Sequence, residues 1–151
     1  MNRRELSLVD LIASILEIDP KTVVEARVEL AENTLRRLRS ILKRGDAVQG
    51  SEKLYKVVEE CIKALAQYYN LEHQIAVKEG RWWIQLLGKT SRRLSKILKE
   101  PKIECVWAVA YDIHVWGFHE GKYSIEDIEE DVEHVKWLLN YMRQVITAKQ
   151  H

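Results

Sequence analysis

Apolar residues recur at three- and four-residue intervals through most of this chain, and no strand-like run is long enough to compete. From about Glu5 to Ile18, Leu8, Leu11, Ile12 and Ile15 share one helical face. Asp19-Pro20 restarts the chain, with an N-cap followed by a proline at the first helical position, where its missing N–H is not needed. The second helix runs to about Arg44 on Val24, Val28, Ala31, Leu35, Leu38 and Leu42, and Gly45 is its stop. Asp46 caps the third, Ala47 to about Tyr69. The connection is so short that the two helices must form an antiparallel hairpin. The stripe of Leu54, Val58, Cys61, Leu65 and Tyr68 is widened by Tyr55, Val57, Ile62, Ala64 and Tyr69 to about half the circumference. Lys53, Lys56, Glu60, Lys63 and Gln67 are left as the outer face, with Lys56 and Glu60 spaced to pair.

The pattern fades from Asn70 to Gly80, which reads as a loop, and resumes from Arg81 to about Leu98 through Trp82, Leu86, Leu87, Leu94, Ile97 and Leu98. Gly88 is a place for a break, and Pro101 ends the helix. The segment from Lys102 to Glu120 is apolar on almost every side. Val106, Ala110, Ile113 and Gly117 share one face, flanked by Val109 and Trp116 on one side and by Trp107 and Phe118 on the other. Such a helix should be walled in, first by its own chain and then by a neighbouring helix or a second subunit. Ser124 and Asp127 resemble a capping box opening a last helix to about Ala148. The expected fold is therefore all-α, an antiparallel bundle of about five or six helices in one domain. Residues 1–18 form an N-terminal helix of that domain and residues 19–149 the bundle.

At 151 residues the chain can bury about two thirds of its extended surface without a metal or disulfide. Cys61 and Cys105 fall beside apolar positions, as reduced, buried thiols would. The first residues lack the cleavage pattern of a signal peptide, and no run approaches the ~18 apolar residues of a membrane span. A cytoplasmic protein is expected. A formal net charge of +1 does not by itself demand nucleic acid.

Three segments, GDAVQGSEKLYKVVEECIKALAQYYNL, GRWWIQLLGKTSRRL and CVWAVAYDIHVWGFHE, resemble in order and spacing the PaREP family of archaeal paralogues. The GRWW and HVWGFHE stretches are the specific part of the match, which spans roughly residues 25 to 140. The first segment is also similar to helices of the broader HEPN superfamily, nucleotide-binding bundles that commonly dimerise. They often accompany nucleotidyltransferases or act as ribonucleases. The resemblance implies a HEPN-like four-helix core, a homodimer, and nucleotide, RNA or a nucleotidyltransferase as partner. It does not imply ribonuclease activity. Active HEPN ribonucleases carry an Arg separated from a His by four to six residues, and none of His73, His114, His119, His134 or His151 has such an arginine upstream. Before His119 the outermost allowed position is Asp112.

Asp112 and His119, seven residues apart, fall almost in line on an α-helix, where a carboxylate would raise the imidazole pKa and fix its tautomer for acid–base work. They equally suit the polar stripe of an apolar helix. His114 faces the more apolar side, as an interior histidine would. Arg81 and Trp83 could offer a guanidinium and an aromatic face to a base, with Trp82 directed to the core. Glu59 borders an apolar arc. Arg36, Arg37, Arg39, Lys43 and Arg44 form one basic cluster, and Arg92, Arg93, Lys96, Lys99 and Lys102 another. Both are also what helix dipoles favour near C-termini. No zinc pattern, phosphate loop or activated nucleophile is present, so no metal or cofactor is expected. The sequence thus points first to a homodimeric module binding nucleotide, RNA or protein. A nucleotide-directed enzyme using Asp112 and His119 stands second, and a purely structural module third.

Overall fold

A computed structural model of the chain describes Leu8, residues 19–71, Trp82 and residues 84–148. Within these lie α1 (Pro20–Lys43), α2 (Ala47–Tyr68), α3 (Ile84–Leu98) and α4 (Lys102–Asp112). A π-helical segment (Ile113–His119), α5 (Ile125–Ile128) and α6 (Asp131–Ala148) follow. Among the described residues there is no strand, and the chain is an all-helical bundle. The expected helix from Glu5 to Ile18 lies outside the described residues except for Leu8, which is helical and 70% exposed.

The boundaries follow local chemistry. Pro20 opens α1, although Asp19 makes no capping bond and instead accepts from the Thr22 hydroxyl at 3.4 Å. Gly45, at φ +74°, reverses the chain into α2, whose Asp46 carboxylate accepts from the Gln49 N–H at 3.1 Å. The α1–α2 hairpin is as the short connection requires. Ser124 and Asp127 form the expected capping box, but the helix they open is only one turn long. Ile128 is driven into the core beside Gly50, and the chain turns at Glu129 and Glu130 before α6 begins. Gly88 does not break α3. It lets the helix lie against Trp107, whose indole Nε1 is 3.2 Å from where a β-carbon would stand.

The centre of the bundle is α2, not the segment from Lys102 to Glu120. An unbroken run from Val57 to Ala66 is buried on α2, which packs against α1, α3, α6 and the π segment. On α4 and the π segment, Ile103, Val106, Trp107, Ala110, Ile113 and Gly117 face inward, close to the expected face. The opposite side is open in this chain. Cys105, Ala108 and Asp112 are exposed, with Tyr111 and Trp116 at 44% and 47% exposure. One covered stripe is enough to hold this helix, so its apolar girth does not make it central.

The polar face of α2 was also expected outside. Instead, Glu60 and Lys63 are buried with Glu59. Arg27 of α1 donates to Glu60 Oε1 at 3.0 Å, and Lys63 Nζ sits 2.8 Å from Glu59 Oε2 and 3.5 Å from Glu60 Oε2. Lys56 pairs with Glu59 at 3.3 Å rather than with Glu60. Buried charges persist only when paired in this way. No helix among the described residues is long and apolar enough to cross a membrane.

Candidate functional site

The π segment begins where the i→i+4 bonding of α4 gives way to a wider turn, seen at its end in the Glu120 N–H bonding Val115 O at 2.9 Å. Its approach to α2 is set by Gly117. A β-carbon there would stand 2.2 Å from Ser51 Oγ, while the Ser51 hydroxyl is turned back to Ala47 O at 2.7 Å. Two residues without bulk bring the backbones together. The segment runs antiparallel to α2: His114 meets Tyr55, Gly117 meets Ser51, and Gly121 meets Val48.

The wider turn alters which side chains are neighbours. On an α-helix, residues five apart point about 140° from each other. With i→i+5 bonding they fall near one another. His114 and His119 are five apart, and their Nε2 atoms stand 3.1 Å from each other. The His114 ring stacks on Tyr55 with centroids 4.0 Å apart, and Phe118 follows at 6.0 Å. Burial, and then the neighbouring His119, lowers the His114 pKa from 6.5 to about 4. Lys56 adds to the effect and Glu59 opposes it. His114 is therefore neutral at pH 7. Its Nδ1 is buried and has no hydrogen-bond partner among the described residues.

These rings close one side of a cleft of ≈ 570 Å³ between α2 and the π segment, with Trp82, Ile84 and Leu87 on the far wall. Gln49, Glu52, Lys56 and Glu59 line it from α2. The Glu59 charge is met by Lys56 and Lys63, whereas Glu52 makes no ion pair or hydrogen bond among the described residues. A cavity of this size, walled by rings and carrying a few polar groups, can enclose a small planar ligand and hydrogen-bond its edge.

Of the residues singled out from sequence, His114, His119 and Glu59 meet in this cleft. Asp112 does not join them. Its carboxylate accepts from the Tyr123 hydroxyl at 2.7 Å, and that bond is the main reason the Tyr123 pKa is pushed up to about 12. The contacts of the two differ, Asp112 with Tyr123 and His119 with His114, and the π turn takes His119 out of the α-helical register in which it would lie in line with Asp112. Arg81 and Trp83 lie outside the described residues. Trp82 is buried as expected and also walls the cleft.

Tyr55, Lys56, Glu52 and Gln49 were missed as site residues. Their spacing along one edge of α2 was the available signal. Cys61 is buried, its thiol pushed up chiefly by desolvation, while Cys105 is exposed, against expectation. In the first basic cluster, Arg36 and Arg39 line a groove with Glu32, Glu129 and Glu133, so acids meet these bases there. In the second, Lys102 lies 4.6 Å over the Trp137 ring.

Comparison with known proteins adds the family. No curated protein matches. A crystal structure of a Sulfolobus solfataricus protein is similar at 33% identity, covering 76% of this chain and 93% of that one, with a TM-score of 0.67. A solution structure of the same target gives 32% identity, coverage of 80% and 93%, and a TM-score of 0.66. The profile of the archaeal PaREP1/PaREP8 family matches residues 26–139. With three quarters of its length inside that match and the same bundle in the Sulfolobus protein, this chain belongs to the archaeal PaREP1/PaREP8 family.

Proposed function

We propose that this protein is a homodimeric, HEPN-like binding module whose cleft takes the base of a nucleotide or of single-stranded RNA, without the ribonuclease Arg/His motif. The observation that carries the reading is the convergence of the Tyr55, Trp82 and Phe118 rings with the His114–His119 pair around one cavity of ≈ 570 Å³. Bases stack on aromatic faces, and a flat heterocycle presents donors and acceptors that imidazole, Gln49 and Glu52 can match. Lys56, partly exposed at the rim, is available to a phosphate while still contacting Glu59. The second subunit would cover the open side of α4, where Tyr111 and Trp116 are exposed.

The test is a titration of the whole protein with the four ribonucleoside monophosphates and a short single-stranded RNA. It is followed through the imidazole signals of His114 and His119 and the fluorescence of the tryptophans. At least one ligand should move both histidines, and His119→Ala should weaken that ligand about tenfold or more. Unmoved histidine signals at millimolar concentrations of every ligand would end this reading.

A further inference from the structure

We propose that His114 and His119 form an open binding site for a divalent first-row transition-metal ion of the imidazole-preferring class, with Glu52 as its oxygen ligand. The geometry of the pair is the starting point. Two nitrogens held at ~2.0–2.1 Å by one ion stand about 2.9–3.4 Å apart, depending on the bond angle at the metal. The Nε2 atoms are already 3.1 Å apart.

The distance alone would equally describe a hydrogen bond between two imidazoles, but the ring placement departs from the linear form of that bond. A good N–H···N bond is close to linear, and the two rings would then meet end-on. Here the ring centroids are only 4.4 Å apart, at an interplanar angle of 85°. At least one ring is therefore turned off the N···N line, so the pair is not a linear imidazole–imidazole bond and leaves space for an ion beside that line.

Three further features fit. The rings are held by the fold, since His114 is stacked on Tyr55 and the π turn fixes its spacing to His119. Extra-wide turns of this kind are frequent at functional sites. Glu52 lines the same cleft at the axial level of the pair, between Ser51, which meets Gly117, and Tyr55, which meets His114. Its carboxylate is not engaged by any described residue, whereas Glu59 is held by two lysines. Among the described residues no three His, Cys, Asp or Glu side chains are placed to hold a metal ion as they stand. The proposed site therefore requires Glu52 to turn toward the pair from its place in the cleft lining, with the remaining positions open to water or to a ligand there.

Imidazole nitrogen with a single carboxylate suits Ni²⁺, Cu²⁺, Zn²⁺ and Fe²⁺ rather than Mg²⁺ or Ca²⁺. The buried Nδ1 of His114 lacks the hydrogen-bond acceptor that usually orients a ligating imidazole, an omission that typically weakens affinity 10–100-fold.

The inference does not rest on nucleotide binding, and its test contains no nucleotide. The whole protein is titrated with Ni²⁺ alone and separately with Zn²⁺ alone by calorimetry, and Co²⁺ is used for its visible absorption. One ion per chain should bind. The His119→Gln variant should lose at least tenfold in affinity and Glu52→Gln should lose less, while His134→Gln, which removes a separate exposed histidine, should change nothing. His119 is exposed, so the fold should survive its replacement, as circular dichroism would verify. Binding unaffected by His119→Gln would overturn the proposal, and so would affinity no tighter than that of a lone surface histidine. A protein that binds metal but no nucleotide would retain this site and lose only the reading above.

Discussion

At the scale of single residues, Lys63 is the most demanding position. It is 0% exposed and stands between two carboxylates, so its removal leaves Glu59 and Glu60 buried with less counter-charge. Lys63→Ala should cost about 3–5 kcal/mol, measured by urea denaturation. His114 supplies a different signature. Its pKa is lowered on folding, so between 6.5 and about 4 the unfolded chain binds the more protons at this site. The contribution to stability is fully present above pH 6.5, falls as the pH drops through that window, and changes no further below it. His114→Gln should remove that part of the slope in melts taken from pH 7 to pH 4, and an unchanged slope would refute the burial argument. Of these two, Lys63 does not announce itself in the sequence. Lys63 reads as solvent-facing because its neighbours at helical spacing are polar, and the Arg27 that completes its surroundings is 36 residues away on another helix. Glu59 and the two histidines were legible as candidates, because carboxylates and imidazoles bordering apolar arcs invite the question of what they contact. Their common cleft was not.

At the scale of elements, ends were easier to read than interiors. Asp46, Gly45, Pro101 and Ser124 act on the backbone within a few residues, and the structure places turns or caps at each. The π segment was illegible for the opposite reason. A helical wheel assumes about 100° per residue throughout, and under that assumption His114 and His119 diverge while Asp112 and His119 align. Nothing in IHVWGFH states that the turn widens. What accompanies it is a tertiary contact, the near-touching of Gly117 and Ser51. Gly117→Ala should therefore be felt in two ways. The added methyl must displace Ser51 or the segment, at about 1–3 kcal/mol. It should also perturb the imidazole signals of His114 and His119, whereas Gly45, whose surroundings are empty, can bear only a backbone penalty. An alanine at Gly117 that leaves both stability and histidine signals intact would show that the close approach does not position the pair.

For the molecule as a whole, the bundle is organised by α2, which has neighbours on every side, while α4 keeps one apolar flank uncovered. Within one chain the Lys102–Glu120 segment is covered on one side, and its other flank is the part that a second subunit would have to cover, because hydrophobicity counts side chains that a single chain need not cover. Trp116 and Tyr111 are where a second copy would be felt. Trp116→Glu should shift the sedimentation of the protein toward the monomer and leave its melting temperature at low concentration nearly unchanged. A wild-type protein that sediments as a monomer at tens of micromolar would remove the dimer. Native-state hydrogen exchange should be slowest in the middle of α2, since opening it requires nearly the whole bundle to come apart.

The widened turn at residues 113–119 also bears on how such a cleft can arise or vanish within a lineage. An extra-wide turn is an ordinary helix carrying a surplus residue, so loss of one codon there would restore regular coiling. The residues after Glu120 form a loop that can take up the altered register, and the packing of α1 and α6 on α2 would be untouched. The imidazoles, however, would swing to separate sides. Gain and loss of this chemistry are then a matter of one inserted or deleted triplet on an unchanged scaffold, and relatives sharing the bundle need not share the pair.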